Sequence, residues 1–248
     1  MDKVVLVSGG TSGIGRAIVI DLLRNGFCVA TFARDIDLLN KLKQKLQSSF
    51  SDKNFLVLQG DVTKEESVTR VVADAISRYG RIDILVNNAG MGYYTDIEGM
   101  YLKKFQEMIQ VNIVGLASLT KLVASHMKKG GGGLIVNMAS IAGKKSFPWA
   151  SCYSATKFAV MGFSDGIRQE LKPHNIKVVT ISPGMVDTDF WDKKELERRN
   201  KIANGKTPPM LSPESVARVL TFIASQPEDS DIQDLTIMPF AEGGKDTY

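Results

Sequence analysis

Only two cysteines, Cys28 and Cys152, occur in 248 residues, too few for a disulfide framework. Cys28 falls in a strand pattern and reads as a small core residue. Cys152, next to Tyr153, reads either as packing or as pocket lining. Histidine is equally scarce: His126 and His174 are the two present. Neither has a partner at metal-ligand spacing, so both read as surface or helix-capping residues and no metal site is expected. No apolar run reaches the roughly 18 residues of a membrane span. Nor does a charged lead-in with an apolar core open the chain; Val4 to Val7 is only a short strand. A strong charge bias is missing too. The net charge of +4 is too small and scattered to argue for nucleic acid, although it suits a phosphate-bearing ligand. These absences point to a reducing, cytoplasmic compartment and to no membrane partner.

What the chain does contain is a regular alternation of strand-length apolar runs and stretches of helical spacing. Val4 to Val7 precedes a glycine turn and a helix through Arg24. Phe27 to Ala33 is a second strand, followed by Ile36 to Phe50, where Leu38, Leu39, Leu42 and Leu46 recur at helical spacing. Phe55 to Leu58 and Ile82 to Val86 flank a helix over Lys64 to Tyr79, stopped by Gly80. Leu102 to Met127 reads as one or two long helices. Gly130 to Gly133 reads as a turn into the strand Leu134 to Met138. Tyr153 to Leu171 is helical and ended by Pro173, and Val178 to Ser182 is a sixth strand. Ser212 caps a helix running to Ser225 with Pro213 in its first turn, and Leu235 to Met238 is a seventh strand. This alternation predicts an α/β fold, a doubly wound (Rossmann) parallel sheet of about seven strands with helices on both faces. No linker or internal repeat divides the chain, so residues 1–248 are expected to form a single domain.

The chemistry-bearing residues gather at strand ends. Ser8-Gly9-Gly10-Thr11-Ser12-Gly13-Ile14-Gly15 follows the first strand and opens the first helix, the context a dinucleotide fingerprint needs. Glycines let the backbone approach a pyrophosphate, and the helix N-terminus attracts its charge. At the end of the second strand Ala33 is uncharged and Arg34 follows. An arginine there accommodates a 2′-phosphate, where a carboxylate would hold a ribose hydroxyl. NADP(H) is therefore expected over NAD(H), while Asp35 pairs with Arg34, reaches a ribose, or is with Arg34 a solvated loop charge. Asp61-Val62 reads either as an adenine contact or, through Asp61, as the N-cap of the helix near Lys64. Asn87, Asn88, Ala89 and Gly90 end the fourth strand with small residues and amides that let a cofactor pass. Ser140 ends the fifth strand, where a hydroxyl can bond a substrate carbonyl. Tyr153 and Lys157 are four residues apart, so a phenol and an ammonium share one helix face. An ammonium beside a phenol favours the phenolate and lowers a pKa that starts near ~10. A tyrosine tuned that way can pass a proton near neutral pH. Asn112, locally unfavourable in mid-helix, reads as structural or as the holder of a water. Pro183-Gly184 forces a turn after the sixth strand, and Val186 and Thr188 extend that edge, Thr188 within reach of a nicotinamide carboxamide.

In this order, over nearly the whole chain, these residues resemble the short-chain dehydrogenase/reductase family in its single-domain form. The resemblance implies an oxidoreductase that exchanges hydride between a nicotinamide and a small-molecule secondary alcohol or ketone. It implies Tyr153 as acid or base at the substrate oxygen, with Lys157 holding the nicotinamide ribose and lowering the tyrosine pKa. Ser140 would polarise the carbonyl, and Asn112 would position a water linking Lys157 to solvent. The cofactor set it implies is Gly9, Ser12, Gly13, Ile14, Gly15, Arg34, Asp61, Val62, Asn88, Ala89, Gly90, Tyr153, Lys157, Pro183, Gly184, Val186 and Thr188. A homotetramer or homodimer is the usual state in the family.

The chain departs from the family pattern in places. Ser8 stands where threonine is usual, with the hydroxyl kept. Ser12 stands where some NADP-preferring members carry a basic residue, which leaves Arg34 to express that preference alone. Leu235 to Phe240 lacks the Asp-Gly-Gly ending of many acyl-carrier ketoreductases, which weakens a 3-oxoacyl-type alternative. A non-catalytic nucleotide sensor is the other alternative, disfavoured because a sensor needs no proton relay. The substrate pocket is expected from Met91 to Tyr94, Ala142 to Lys145, Phe147, Trp149, and a lid over 187–209 near Phe190 and Trp191. Those aromatics imply a partly apolar substrate. Lys144 and Lys145 either meet an anion or are solvated, and Asp192 to Lys201 reads as a solvated helix.

Overall fold

The computed structural model describes residues 3–191, 196–197 and 209–240. Its strands are β1 (Val4–Ser8), β2 (Cys28–Ala33), β3 (Phe55–Gln59), β4 (Ile84–Asn87), β5 (Gly133–Met138), β6 (Ile176–Pro183) and β7 (Asp234–Ile237). Between them lie α1 (Gly13–Arg24), α2 (Ile36–Gln47), α3 (Glu65–Tyr79), α4 (Leu102–Ile109), α5 (Leu116–Lys129), α6 (Ser151–Leu171) and α7 (Pro213–Ala224). The strands form one parallel sheet in the order β3-β2-β1-β4-β5-β6-β7.

Side chains alternate across this sheet. Val5, Val7, Ile84, Val86, Val136 and Val179 turn to one face, where they meet α1, α2 and α7. Leu6, Leu85, Ile135 and Val178 turn to the other, under α3, α5 and α6. Both faces are covered, which is why these strands read as unbroken apolar runs rather than alternating ones. The Rossmann expectation therefore holds in strand number, direction and layering.

Local chemistry explains several element ends. Ser212 caps α7, its Oγ accepting from the Ser215 amide at 3.2 Å. Gly80 ends α3 in the left-handed region. β4 begins at Ile84 rather than Ile82, and just before it the Asp83 carboxylate accepts from the Val4 amide at 2.8 Å. The stretch 102–129 is one continuous helical run, with a π-helical segment at Gln110–Gly115 joining α4 to α5. The run passes by length and composition for a membrane span, with a mean hydropathy of 1.4 over its most apolar stretch. Its apolarity has a local cause: Leu116, Leu119, Val123 and Met127 are buried in the fold.

Leu6, in β1 near the middle of the sheet, is fully buried. Leu6→Ala is expected to lower the unfolding free energy by about 2–5 kcal/mol, seen as a lower urea midpoint at an unchanged slope.

Candidate functional site

The strand order reverses at β1. The chain leaves β1 towards β2 on one side, while β4 pairs with β1 on the other. Connections diverging from the carboxyl ends of two adjacent strands leave a crevice. A cavity of about 610 Å³ lies there, lined by the glycine turn, the strand ends and the start of α6. Gly9 has φ 71°, a left-handed conformation that glycine adopts without steric cost. At Gly15 the reason for glycine is contact: a Cβ would stand 2.1 Å from the Gly9 carbonyl oxygen.

Ser8 clasps this turn to the end of β4. Its Oγ accepts from the amides of Asn88 and Ala89, both at 3.0 Å, and donates to the Val86 carbonyl at 3.3 Å. Asn88 Nδ2 returns hydrogen bonds to the carbonyls of Ser8 and Gly9, both at 3.1 Å. Serine in place of threonine thus retains the oxygen the clasp uses. Ser12 is the extended N-cap residue of α1, makes no side-chain cap bond, and lines the cavity with Gly13 and Ile14.

Arg34, Asp35, Asp61 and Val62 line the far end of the cavity. Arg34 follows β2, its carbonyl held by Gln59 Nε2 at 3.1 Å. Asp35 forms no ion pair with Arg34 among the described residues, and it is exposed on the cavity lining. It caps α2, with Oδ1 accepting from the amides of Asp37 and Leu38 at 2.9 and 3.0 Å. Asp61 is not the cap of α3; that position is Lys64, which makes no side-chain cap bond. Asp61 instead closes a tight local turn, Oδ1 accepting from the Thr63 amide at 2.9 Å and its hydroxyl at 2.8 Å.

Ser140, Tyr153 and Lys157 line the opposite end, with Asn88, Ala89, Gly90, Pro183, Gly184, Val186 and Thr188 between the two. Ser140 accepts from the Ala142 amide at 3.1 Å, which leaves its own O–H to donate. Lys157 is 7% exposed and donates from Nζ to the Met138 carbonyl at 2.8 Å. The ammonium lies 5.7 Å from the centre of the Tyr153 ring. Burial pushes its pKa down to about 8, because the charged form loses its water. Asn112 stands in the π-helical segment and does not line the cavity. Its Oδ1 accepts from the Met91 amide at 2.9 Å, while Nδ2 donates to the Met91 carbonyl and Thr156 Oγ1, both at 3.0 Å. The side chain therefore braces the loop after β4 against α6.

The expected substrate wall is narrower than the sequence suggests. Met91, Gly92, Tyr94, Ala142, Phe147, Phe190 and Trp191 line the cavity; Tyr93, Gly143, Lys144, Lys145 and Trp149 do not. Tyr93 spends its hydroxyl on Gly99 and Tyr101. Trp149 has φ 62°, unusual for a bulky residue, and its carbonyl accepts from the Thr95 amide at 2.8 Å. Lys144 meets an anion within the protein, donating to Asp234 Oδ2 at 2.6 Å and to Thr236 Oγ1 at 2.7 Å. The Lys145 ammonium lies 5.5 Å from the Phe147 ring centre. Cys152 is packing, with Sγ 3.3 Å from Met100 Sδ. Of the expected lid, 192–195 and 198–208 lie outside the described residues, as does most of the charged run Asp192 to Lys201.

Sequence reasoning missed a buried polar ladder beneath the site. Asn87 Nδ2 donates to Thr120 Oγ1 and Asn137 Oδ1, and Asn137 Nδ2 to Ser164 Oγ, each at 2.8 Å. The available signal was two asparagines interrupting apolar strands; their pairing across β4 and β5 is a matter of register.

A family model described as short chain dehydrogenase matches residues 3–199. An uncharacterized oxidoreductase of Staphylococcus saprophyticus is 33% identical over 250 residues, covering 97% of this chain and 97% of its own. The solved structure of ElxO with NADP bound superposes with a TM-score of 0.85 at 31% identity, covering 96% of this chain and 98% of that one. A 3-ketoacyl-(acyl-carrier-protein) reductase from Brucella melitensis, complexed with NADH, gives a TM-score of 0.84 at 28% identity and covers 95% and 96%.

The shifted lysine makes stability depend on pH with a definite sign. Below pH 8 Lys157 is protonated in both folded and unfolded chains, and the buried charge costs its full amount. Between about 8 and the ordinary 10.5 the folded protein releases the proton first, so the unfolding free energy rises with pH. Thermal unfolding of the cofactor-free protein should show this gain relative to Lys157→Met across that window. Parallel curves for the two proteins would reject the shift.

Proposed function

Since the chain belongs to the short-chain dehydrogenase family of oxidoreductases, we propose that it exchanges hydride between NADP(H) and a secondary alcohol or its ketone. The observation that carries this reading is one cavity lined both by the glycine turn and by Ser140, Tyr153 and Lys157. The donor set suits a dinucleotide. Gly9, Gly13 and Gly15 leave backbone without side chains at the N-terminus of α1, where the pyrophosphate belongs. Asp61 and Val62 take the adenine end. Asn88, Ala89 and Gly90 pass along the middle, and Pro183, Gly184, Val186 and Thr188 flank the nicotinamide.

When bound, the nicotinamide supplies or accepts the hydride. Tyr153 gives its hydroxyl proton to the substrate oxygen in reduction and takes it back in oxidation. Ser140 donates its O–H to that oxygen and steadies the charge that develops there. Lys157 holds the ribose hydroxyls, and its positive charge favours the tyrosinate. Asn112 braces the helix that presents both groups and positions a water leading from Lys157 to solvent. The aromatic side chains over Tyr153 keep bulk water from the reacting atoms.

The choice of NADP(H) rests on Arg34. It stands exposed at the cavity end, and the adjacent Asp35 spends its Oδ1 on capping α2. An arginine directly after the second strand suits a 2′-phosphate. Exposed apolar side chains on the 102–129 run and α6, among them Leu102, Val114 and Phe158, support a homo-oligomer. Cys28 and Cys152 remain thiols, which suits a reducing, cytoplasmic setting.

Tyr153→Phe is expected to lower kcat by at least about 100-fold, with NADPH binding retained. Stoichiometric cofactor binding by the wild type with no turnover across a broad alcohol and ketone panel would sink the enzyme reading. Arg34→Ala is expected to weaken NADPH binding by about 10–100-fold, the size of a lost charged hydrogen bond, and NADH far less. Equal weakening in titrations with both cofactors rejects the 2′-phosphate assignment.

A further inference from the structure

We propose that the substrate half of the cavity selects neutral carbonyl compounds carrying a flat aromatic group and rejects carboxylated ones; this rests on the oxidoreductase reading above. Two independent features carry it, the arrangement of rings and the placement of charge.

Four aromatic rings stand over the reacting end. Tyr94 and Trp191 stack at 5.5 Å with 28° between their planes. Phe190 meets Trp191 edge-on at 84° and Tyr94 at 80°. The Tyr153 ring lies 5.3 Å from Tyr94 and 5.8 Å from Phe190. Glycine at position 92 is what lets them gather, because a Cβ there would stand 2.8 Å from both Phe190 and Tyr94 ring carbons. Trp191 is anchored by its indole N–H on the Val186 carbonyl at 2.9 Å. Phe190 is 38% exposed, so it is the ring with room to turn aside for an entering molecule. An aromatic substrate then meets one face and one edge, the two geometries aromatic pairs favour.

Charge is sorted the other way. Among the described residues, the charged side chains lining the cavity are Arg34, Asp35, Asp61, Lys157 and Asp189. The first three belong to the adenine end. Lys157 is buried beside the Tyr153 ring, with Nζ on the Met138 carbonyl. Lys144, the nearest cation in sequence to the Ser140 turn, is held by Asp234 and Thr236. Among the described residues, a carboxylate entering the substrate half therefore loses its water, faces the electron-rich surfaces of rings and meets Asp189, while the cations near it are already engaged, Lys157 on the Met138 carbonyl and Lys145 over the Phe147 ring. A neutral ketone bears none of these costs. The turnover itself is balanced as above: the ketone gains a hydride and one proton and leaves as the secondary alcohol.

Three probes separate the features. 4-Phenyl-2-butanone is neutral and carries a ring. 4-(3-Oxobutyl)benzoate adds a remote carboxylate, insulated from the carbonyl by two methylenes. 2-Octanone is apolar without a ring. With NADPH at neutral pH, kcat/KM for the phenyl ketone should exceed that for the carboxylate by about 100-fold and that for 2-octanone by about 10-fold. Phe190→Ala should reduce the preference for the phenyl ketone over 2-octanone by about tenfold. Comparable kcat/KM for the phenyl ketone and the carboxylate overturns the inference and leaves the oxidoreductase reading standing. Should no probe turn over, calorimetric titration into the NADPH complex decides: binding of the phenyl ketone but not the carboxylate upholds the selectivity without the enzyme, and equal or absent binding overturns it.

Discussion

A buried ammonium sets the terms for the working face of this molecule. Lys157 has lost most of its contact with water, and a charge in that position persists only with hydrogen-bonding partners held in place. Its protein partner is the Met138 carbonyl at the last residue of β5. That requirement ties the register of α6 to the end of the central sheet. Tyr153, one turn earlier on α6, is thereby brought to the mouth of the same crevice. Ser140, two residues beyond Met138, arrives from the other direction. Asn112 completes the arrangement from a third element by joining Thr156 to the Met91 loop.

The other half of the cavity obeys a constraint of space. Backbone must pass backbone where the β1 turn crosses the end of β4. Gly15 has no side chain because the Gly9 carbonyl occupies the place a Cβ would take. The Ser8 hydroxyl then serves three backbone groups at once, and the Asn88 amide two more. Two loops that share so many hydrogen bonds move together, which keeps this part of the crevice preformed. Below them the Asn87, Asn137 and Ser164 ladder stiffens the sheet's carboxyl edge with buried polar bonds, which are strong because little water competes for them.

Along the cavity the two ends differ in kind. One carries Arg34, Asp35 and Asp61 at an open rim. The other gathers Tyr94, Tyr153, Phe190 and Trp191 in mutual contact. This gradient from charged to aromatic is produced by chain segments far apart in sequence. Lys144, four residues after Ser140 in sequence, stands away from the pocket because it is drawn across to β7 by Asp234.

Most of the fold was legible, because parallel strands covered on both faces must be apolar throughout and helices on a sheet must repeat near every fourth residue. The glycine turn and the Tyr153–Lys157 spacing were legible for the same reason: each is a local pattern. Asp35 and Asp61 were legible only as alternatives, since a carboxylate near a helix start serves equally as a cap, a turn or a ligand contact until its neighbours are in place. The sequence by itself therefore determined the alternation, the layering and the residue types at each strand end, all governed by interactions within a few residues. Only the tertiary structure decided that Asp35 caps, that Lys144 crosses ninety residues to Asp234, that Trp149 takes a positive φ and that the rings of Tyr94, Phe190 and Trp191 gather with that of Tyr153. Those outcomes depend on long-range register and packing, which local patterns do not encode.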